Sequence, residues 1–437
     1  LAVGALFDDG ATNSTTDAGA VYLFTFGDTL FTQSTLRGTL GAGYRAYTPV
    51  NLASSPTIIS NEFFGTSVSL SGNRLAVGAS GDSGALGNAS GAGAVYLFTF
   101  ASAAFSTPTL QSIIGFGYSG GKNFSVGTLA ATDVFATSVS LDGNRLAVGA
   151  PSDDGATNSV NNSGAVYLFS FADASFTAPT LEARIGVGYT GGKNLSMPDL
   201  AISDSFGWSV SLNGNRLAVG APGDDGFGES SAGSGAVYLF TFADATFATP
   251  ALAGTIGKNY VGASSHNVAN LDANDQFGYS VSLDGDRLAV GARADRSAAN
   301  NLSQVGAVYL FSFADAVFAT PTVQAIVGKG YTGGKNIDVA DLEANDQFGI
   351  SVSLDGNRLA VGAPNDGGFQ NSVLASGSVY LFTFADAQFS GGSEVARFGA
   401  GWLGTNDLSL TQLGSGDSFG RSVSLDAGRL AVGANND

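Results

Sequence analysis

The stretch SVSLDGNRLAVGAP occupies residues 138–151 and recurs letter for letter at residues 351–364. Its core, LAVGA, starts at seven places separated by one step of 74 residues and five steps of 71. The copies begin at Leu1, Leu75, Leu146, Leu217, Leu288, Leu359 and Leu430. Two further landmarks, SVSL and VYLF, each recur six times with nearly the same spacing. Such self-similarity indicates a repeat protein, here with six units of about 71 residues.

Each unit contains four runs that favour β-structure. SVSL and RLAVGA are separated by Asp-Gly-Asn or a close variant, which is typical of a tight hairpin turn. A polar loop such as residues 151–164 follows, and the third run, AVYLFTF, is apolar on both faces. A fourth run such as residues 176–185 leads into a Gly-rich link to the next unit. The sequence therefore predicts a sheet of four antiparallel strands in each unit.

The third run indicates how the sheets pack. A strand that is apolar on both faces must be covered on both faces, and a ring of sheets packed face to face achieves this. Helix-period segments of useful length are lacking, which disfavours alternating strands and helices. We predict an all-β fold, a β-propeller of four-stranded antiparallel blades, with six blades preferred and seven as the alternative. A stacked β-solenoid is the main rival, although its repeats are usually much shorter.

The units cover essentially the whole chain, so we expect residues 1–437 to form a single propeller domain. The chain begins at the second strand of one unit and ends after the second strand of another. The stretch Ser422–Leu425 is a candidate for the first strand that the first blade lacks, which leaves one copy of LAVGA in surplus. We therefore expect the chain to be a piece of a longer protein.

Three landmarks in a fixed order carry a resemblance to a known family. In one unit they are Phe206-Gly207, Gly220-Ala221-Pro222 and GAVYLF at residues 235–240. This order resembles the FG-GAP repeat, the blade unit of integrin α-subunit propellers and of many bacterial surface and secreted proteins. The resemblance implies a propeller and an extracellular or cell-surface location in a bacterium. Departures from the pattern occur at Phe135-Ala136, Ala79-Ser80, Ala292-Arg293 and Ala434-Asn435.

Family members that bind calcium typically carry several spaced aspartates between the first two strands of a blade. Here that loop is only Asp142-Gly143-Asn144 or its equivalent, too short to surround calcium with its roughly six to eight oxygens. The remaining calcium candidates lie in the loop after the second strand: Asp8, Asp9, Asp153, Asp154, Asp224, Asp225 and Asp366. Asp-Gly is also ordinary turn chemistry, in which the carboxylate accepts hydrogen bonds from nearby amides, and we favour this structural interpretation.

Two charged positions recur in every unit. An acid lies two residues before the aromatic of the FG position: Glu62, Asp133, Asp204, Asp275, Asp346 and Asp417. An arginine opens the second strand: Arg74, Arg145, Arg216, Arg287, Arg358 and Arg429. Catalysis needs one asymmetric constellation, so a group present in every blade indicates scaffold. We predict that these residues make polar contacts that fix blade packing, with pairing between the acids and the arginines as one hypothesis.

The motif GYxGGKN is similar to a phosphate-binding loop, but Asn rather than Ser or Thr follows its lysine and no helix follows. The YxGGKN part of the motif occupies Tyr118–Asn123, Tyr189–Asn194 and Tyr331–Asn336. Three copies indicate a structural link between units. His266 is the single histidine, which excludes multi-histidine metal sites and disfavours a Ser-His-Asp triad. We predict that His266 is a solvated loop residue.

Composition and net charge exclude several classes of partner and of chemistry. The net charge is −18, from 36 acidic and 18 basic residues, and this sign opposes binding to nucleic acid. No run approaches the ~18 apolar residues that a transmembrane segment needs. The chain has no cysteine, which excludes disulfides and thiolate chemistry.

We expect a non-enzymatic adhesion or structural module, such as a segment of a repetitive surface protein or fibre. Its expected partners are other surface proteins, further copies of itself or glycans. Near-identical repeats favour this role, because a specific pocket usually requires one blade to diverge. The alternatives are a calcium-dependent, lectin-like propeller that binds carbohydrate or protein and, third, a propeller hydrolase or lyase. Calcium is the one cofactor implied.

Overall fold

The computed structural model describes residues 2–25, 35–44, 58–262, 264–426 and 429–434. Within these ranges the regular structure is β-strand, apart from a 3₁₀ turn at Phe369–Asn371. No helix of this part of the chain has the length and apolar character needed to cross a membrane. The chain divides into two compact units, Leu1–Asn215 with Phe242–Pro250 and Arg216–Thr241 with Ala251–Asp437.

The strands of the first unit are β1 (Ala2–Ala5), β2 (Ala20–Thr25), β3 (Thr35–Gly41), β4 (Phe64–Ser71), β5 (Arg74–Ala79), β6 (Ala94–Thr99), β7 (Thr109–Gly115), β8 (Phe124–Ser125), β9 (Ser138–Asp142), β10 (Arg145–Ala150), β11 (Ala165–Ser170), β12 (Thr180–Gly186), β13 (Leu195–Ser196) and β14 (Ser209–Asn213). Those of the second unit are β15 (Arg216–Ala221), β16 (Ala236–Thr241), β17 (Ala251–Gly257), β18 (His266–Asn267), β19 (Phe277–Asp284), β20 (Arg287–Ala292), β21 (Ala307–Ser312), β22 (Thr322–Gly328), β23 (Ile337–Asp338), β24 (Ser351–Asp355), β25 (Arg358–Ala363), β26 (Ser378–Thr383), β27 (Ser393–Gly399), β28 (Leu408–Ser409), β29 (Phe419–Asp426) and β30 (Arg429–Ala434).

The sheet β9–β13 shows the strand order of a complete blade. Strands β9 to β12 pair antiparallel in chain order, and β13 adds in parallel to β12. The same order recurs in β4–β8, β19–β23 and β24–β28. The prediction of an all-β, six-bladed propeller is confirmed, with repeats of about 71 residues.

Each complete blade has five strands, so the prediction of four was wrong. The additional strand is only two residues long, as in β13. Asn194 precedes it, and its Oδ1 accepts a hydrogen bond from Arg184 N at 2.8 Å, which holds the Gly-rich link against β12. Two residues are too few to form a periodic pattern, so this strand could not be predicted from the sequence.

The third strand of a blade is buried on both faces, as its sequence predicted. In β11, Val166, Tyr167, Leu168 and Phe169 are all fully buried. The Val–Leu face of β6 shares a core with the Tyr–Phe face of β11 in the next blade. In the second unit, the corresponding faces of β21 and β26 pack in the same way. Each sheet therefore covers one face of its neighbour.

The FG and GAP glycines bring consecutive blades into contact. A Cβ on Gly149 of the GAP motif would lie 1.9 Å from the carbonyl oxygen of Gly207, the FG glycine of the next blade. Ser138 Oγ donates a hydrogen bond to that same carbonyl at 2.9 Å. We call this contact the glycine seam. Its counterparts in the second unit are Gly291, Gly349 and Ser280.

Candidate functional site

The first aspartate of the loop after GAP is buried and accepts hydrogen bonds from two tyrosines. Asp153 is only 2% exposed. Its Oδ2 accepts from Tyr167 Oη at 2.7 Å and from Tyr189 Oη at 2.9 Å, and its Oδ1 accepts from Gly155 N at 2.8 Å. Burial raises the pKa of Asp153, and the tyrosine and amide donors oppose that rise. We call this group the Asp–Tyr–Tyr cluster.

The Asp–Tyr–Tyr cluster recurs from blade to blade. Its aspartates are Asp8, Asp82, Asp153, Asp224 and Asp295, each bonded to tyrosines 14 and 36 residues later. In the blade β24–β28, Tyr380 donates to Asp366 and Trp402 stands in place of the second tyrosine. Trp402 Nε1 donates to Ser378 Oγ at 3.0 Å. The tyrosines were not among the predicted site residues, although their fixed spacing from an aspartate was a visible signal.

The second aspartate of each Asp-Asp pair orders its own loop. Asp154 Oδ1 accepts a hydrogen bond from Asn162 N at 2.7 Å. Asp9 Oδ1 accepts from Asp17 N at 2.9 Å, across the same separation of eight residues. The corresponding bond in the next repeat joins Asp225 Oδ1 and Gly233 N at 2.6 Å.

All seven calcium candidates thus have protein donors as partners. In the described ranges, no group of three or more His, Cys, Asp or Glu side chains is placed to hold a metal ion. The hydrogen bonds of these aspartates are those of turn chemistry, the interpretation that we favoured from sequence. Calcium binding by them stays a prediction.

The acids that precede the FG position are also buried. They are Glu62, Asp133, Asp204, Asp275, Asp346 and Asp417. Asp133 Oδ2 accepts a hydrogen bond from Ala130 N at 2.7 Å. Equivalent bonds to the residue three positions earlier recur in the other blades. Glu62 Oε2 and Asp275 Oδ1 are buried and have no hydrogen-bond partner.

Burial shifts the ionisation of these acids. It raises the pKa of Glu62 to about 8 and that of Asp133 to about 7, and the nearby Asp82 and Asp153 raise each further. Burial likewise raises the pKa of Asp275 and Asp346 to about 7, beside Asp295 and Asp366. A complete blade therefore holds two neighbouring buried carboxyl groups.

The repeated arginines reach the hairpin turn of the next blade. Arg145 Nη1 donates to Asn215 Oδ1 at 3.1 Å, and its Nη2 donates to Asp142 Oδ2 at 2.6 Å. Its guanidinium carbon lies 5.7 Å from the centroid of the Phe247 ring. Bonds to the next turn recur at Arg74, Arg216 and Arg287. These partners differ from the buried acids of our pairing hypothesis, and the side chain of Arg429 lies outside the described residues.

The lysine of GYxGGKN is a second link between blades. Lys193 Nζ donates to the carbonyl oxygen of Thr246 at 2.6 Å, 53 residues further along the chain. Lys122 and Lys335 make the equivalent bonds to Ser175 and Gln388. The motif is thus a structural link, as its repetition indicated.

The single histidine is not a solvated loop residue. His266 lies in β18 and is half-buried, with its ring centroid 6.0 Å from that of Phe311. Sister blades carry Phe124, Leu195, Ile337 or Leu408 at this position. Burial lowers the pKa of His266. The polar sequence around it, SSHN, does not indicate a strand, so the contact of His266 with Phe311 could not be predicted.

The comparison with known protein families identifies the repeats of this chain. The model of the family described as FG-GAP repeat matches residues 59–98, 129–169, 193–240, 269–311 and 337–382. No curated protein matches the chain. Among solved structures, the computationally designed Ika8 protein aligns with a TM-score of 0.42 and 9% identity, over 98% of this chain and 77% of its own. On the five matched repeats, the chain belongs to the FG-GAP repeat family.

Proposed function

We propose that this chain is a non-enzymatic adhesion or structural module of a bacterial extracellular or cell-surface protein. FG-GAP repeats are typical of extracellular and surface proteins, which supports the location. The observation that carries the proposal is how the repeated polar residues are used. The Asp–Tyr–Tyr clusters, the arginines and the lysines bond to groups within their blade or on the next one.

The loop between the second and third strands, in contrast, varies from blade to blade. The copies of this loop at residues 80–93, 151–164 and 222–235 share a length of 14 residues but differ in sequence. They also display apolar side chains: Leu86 is 84% exposed and Phe227 is 60% exposed. Binding surfaces are marked by apolar patches with a polar rim, and each of these side chains offers a partner one apolar contact within a polar loop. We assign partner binding, whether to surface proteins, glycans or further copies, to these loops.

An exchange of loops tests the assignment. The whole chain is labelled and applied to arrays of glycans and of surface proteins, and its self-association is measured by sedimentation. A variant in which residues 152–162 replace residues 223–233 keeps both loop aspartates and their bonds but removes Phe227. We expect the variant to fold and to lose at least one partner of the parent chain. An exchange that changes no partner would contradict the assignment to the loops.

Two outcomes would favour the alternatives. Partner binding that requires millimolar calcium and disappears with EDTA indicates a calcium-dependent, lectin-like module. Turnover of a polysaccharide that is abolished by Asp133→Asn, without loss of folding, indicates a hydrolase or lyase. A chain that binds no surface partner and does not self-associate would overturn the proposal itself.

A further inference from the structure

A cavity lies at one end of the blade β19–β23, beside the loop between its second and third strands. Its volume is about 380 Å³, within the range of about 300–1,000 Å³ that is usual for small-ligand sites. An adjoining hollow of about 400 Å³ shares Ser297, Ala298 and Gly330 with it. The polar side chains that line the cavity are those of Asn270, Asp272, Ser297, Asn300, Thr332 and Asn336. All of these residues lie in the second unit.

The cavity corresponds to the place that an aromatic ring takes in two sister blades. Ala298 stands three residues after the first loop aspartate, where the neighbouring blades carry Phe227 and Phe369. The ring centroid of Phe227 lies 5.9 Å from that of Tyr260, and Phe369 makes the equivalent contact in its own blade. Tyr331 is the counterpart of Tyr260 and lines the cavity. Because Ala298 has only a methyl group, the space beside Tyr331 stays open.

Two polar residues of the lining distinguish this blade from those of the first unit, which also carry alanine at the position of Ala298. Asp272 stands where the first unit has Ala130 and Ala201. Ser297 has a φ of 74°, in the left-handed region that favours glycine. Its counterparts in the other repeats are Gly10, Gly84, Gly155, Gly226 and Gly368. A serine in this strained conformation, in the wall of a cavity, indicates a use for its hydroxyl group.

Hydrogen bonds join the three chain segments that form the walls. Asn300 Nδ2 donates to Asp272 Oδ2 at 2.7 Å, which ties the loop to the link that precedes β19. Ala298 N donates to the carbonyl oxygen of Lys329 at 3.0 Å, which ties the same loop to the link that follows β22. The walls are therefore in place before a ligand binds, so little ordering is needed on binding.

The lining suits a neutral ligand that is rich in hydroxyl groups. Serine, threonine and asparagine side chains both donate and accept hydrogen bonds, as do the hydroxyl groups of a sugar. Among the described residues that line the cavity, Asp272 is the only charged one, and its carboxylate would repel an anion. Ala269, Ala298 and Tyr331 add apolar surface that can contact the carbon atoms of a sugar ring.

We propose that this cavity binds one neutral monosaccharide unit of a glycan. Ala298 leaves room for the sugar ring, and Asp272, Ser297 and Asn300 form hydrogen bonds with its hydroxyl groups. The proposal rests on the proposed function, in which the loops between the second and third strands bind partners. It identifies glycans as the partner of the loop in this blade.

Saturation-transfer NMR of the whole chain tests the site with glucose, galactose, mannose and N-acetylglucosamine. Glycerol, a polyol without a ring, is the matched control. We expect at least one sugar to bind and glycerol not to bind. Absence of binding by all four sugars, or equal binding of glycerol, would overturn the proposal. If the loop exchange at residues 223–233 still removes a partner in that case, the proposed function stands and only the cavity assignment fails.

Variants taken from the sister blades keep the test independent of folding. Ala298→Phe introduces the residue that two sister blades carry and should weaken sugar binding at least about tenfold, because the ring takes the place of the ligand. Ser297→Gly should weaken it about two- to tenfold, the effect of one hydrogen bond. Ala316→Phe is the control, because it adds the same ring to an exposed turn at the opposite end of the blade. Binding that survives Ala298→Phe, or that Ala316→Phe weakens equally, would reject the cavity as the site.

Discussion

Neighbouring buried carboxyl groups are the unusual residues of this chain. An ionised carboxylate is costly to bury unless hydrogen bonds or protonation compensate it. Asp153 has two phenols and an amide as donors. Asp133, beside it, accepts a hydrogen bond from Ala130 N, and its raised pKa of about 7 favours the neutral form. One blade thus uses both means of compensation.

Removal of a single phenol should reveal the contribution of the Asp–Tyr–Tyr cluster. Tyr167→Phe keeps the ring in the core but deletes the donor to Asp153. We expect the free energy of unfolding to fall by about 1–3 kcal/mol, as for a buried acceptor that loses its partner. Urea denaturation measures the change, and Ser159→Ala on the exposed part of the same loop is the control. Equal stability of Tyr167→Phe and the control would show that the cluster is not stabilising.

The raised acid pKa values predict a chain that is more stable in mild acid than in mild alkali. The pKa is raised to about 8 for Glu62 and to about 7 for Asp133, Asp275 and Asp346, whereas unfolded carboxyls titrate near about 4. The folded state therefore binds more protons between these values. The contribution of these acids to the free energy of unfolding is fully present below the pKa that they have in the unfolded chain. It is lost as the pH rises through their folded-state pKa values of about 7 to 8.

Urea midpoints at mildly acidic and mildly alkaline pH test this prediction. We expect the midpoint to fall as the pH rises. Asp133→Asn removes one of the titrating groups and should make the fall smaller. A midpoint that rises with pH would contradict the assignment of raised pKa values to these acids.

At the scale of the element, charged side chains and glycines join one blade to the next. Arg145 and Lys193 each reach the following blade, and the glycine seam lets the two backbones meet directly. These contacts explain why the FG and GAP motifs each contain a glycine. A larger side chain at the seam would separate the sheets whose apolar faces cover each other.

A methyl group at the glycine seam should therefore destabilise the protein. In Gly149→Ala the new Cβ would lie 1.9 Å from the carbonyl oxygen of Gly207. We expect a loss of at least about 1–3 kcal/mol, as for overpacked sites, or failure to fold. Gly127→Ala is the matched control, because a Cβ there has no atom within 4 Å. Thermal unfolding compares the two variants, and equal melting temperatures would contradict the role of the seam.

The repeat made the blade predictable at this scale but not every contact in it. The hairpin turns were predicted from their Asp-Gly-Asn sequence, and the third strand was predicted from its run of apolar residues on both faces. The strand β13 was not, since two residues carry no period and a side chain, Asn194 Oδ1, sets its position. Tyr189 lies 36 residues from Asp153, too far for a local pattern to link the two, and only the recurrence of this spacing in successive repeats could have indicated their contact.

At the scale of the whole molecule, the net charge of −18 attracts cations without specifying a site for them. The buried aspartates are bonded to tyrosines and amides, and their loop partners bond to backbone. The repeated aspartates were therefore candidates for calcium ligands from the sequence, and in the structure they accept hydrogen bonds from the protein. Whether an aspartate binds calcium or accepts hydrogen bonds depends on which donors lie next to it, and these neighbours are known only from the folded structure.

We expect calcium to leave the stability of the whole chain unchanged. Melting temperatures are compared with calcium at about 1 mM, where weak extracellular calcium modules bind, and with EDTA. No reproducible rise should occur, because the carboxylate oxygens already accept hydrogen bonds from the protein. A rise that EDTA reverses and that Asp154→Asn abolishes would contradict this expectation.

The glycine seam also bears on how such a chain changes over generations. Each seam uses only residues of the FG and GAP motifs and the serine that follows, and these are nearly the same at every junction. Unequal recombination between coding copies, which inserts or deletes one unit of about 71 residues, would rejoin the chain at an equivalent junction. Lineages that carry this gene should therefore differ by whole units rather than by fractions of one.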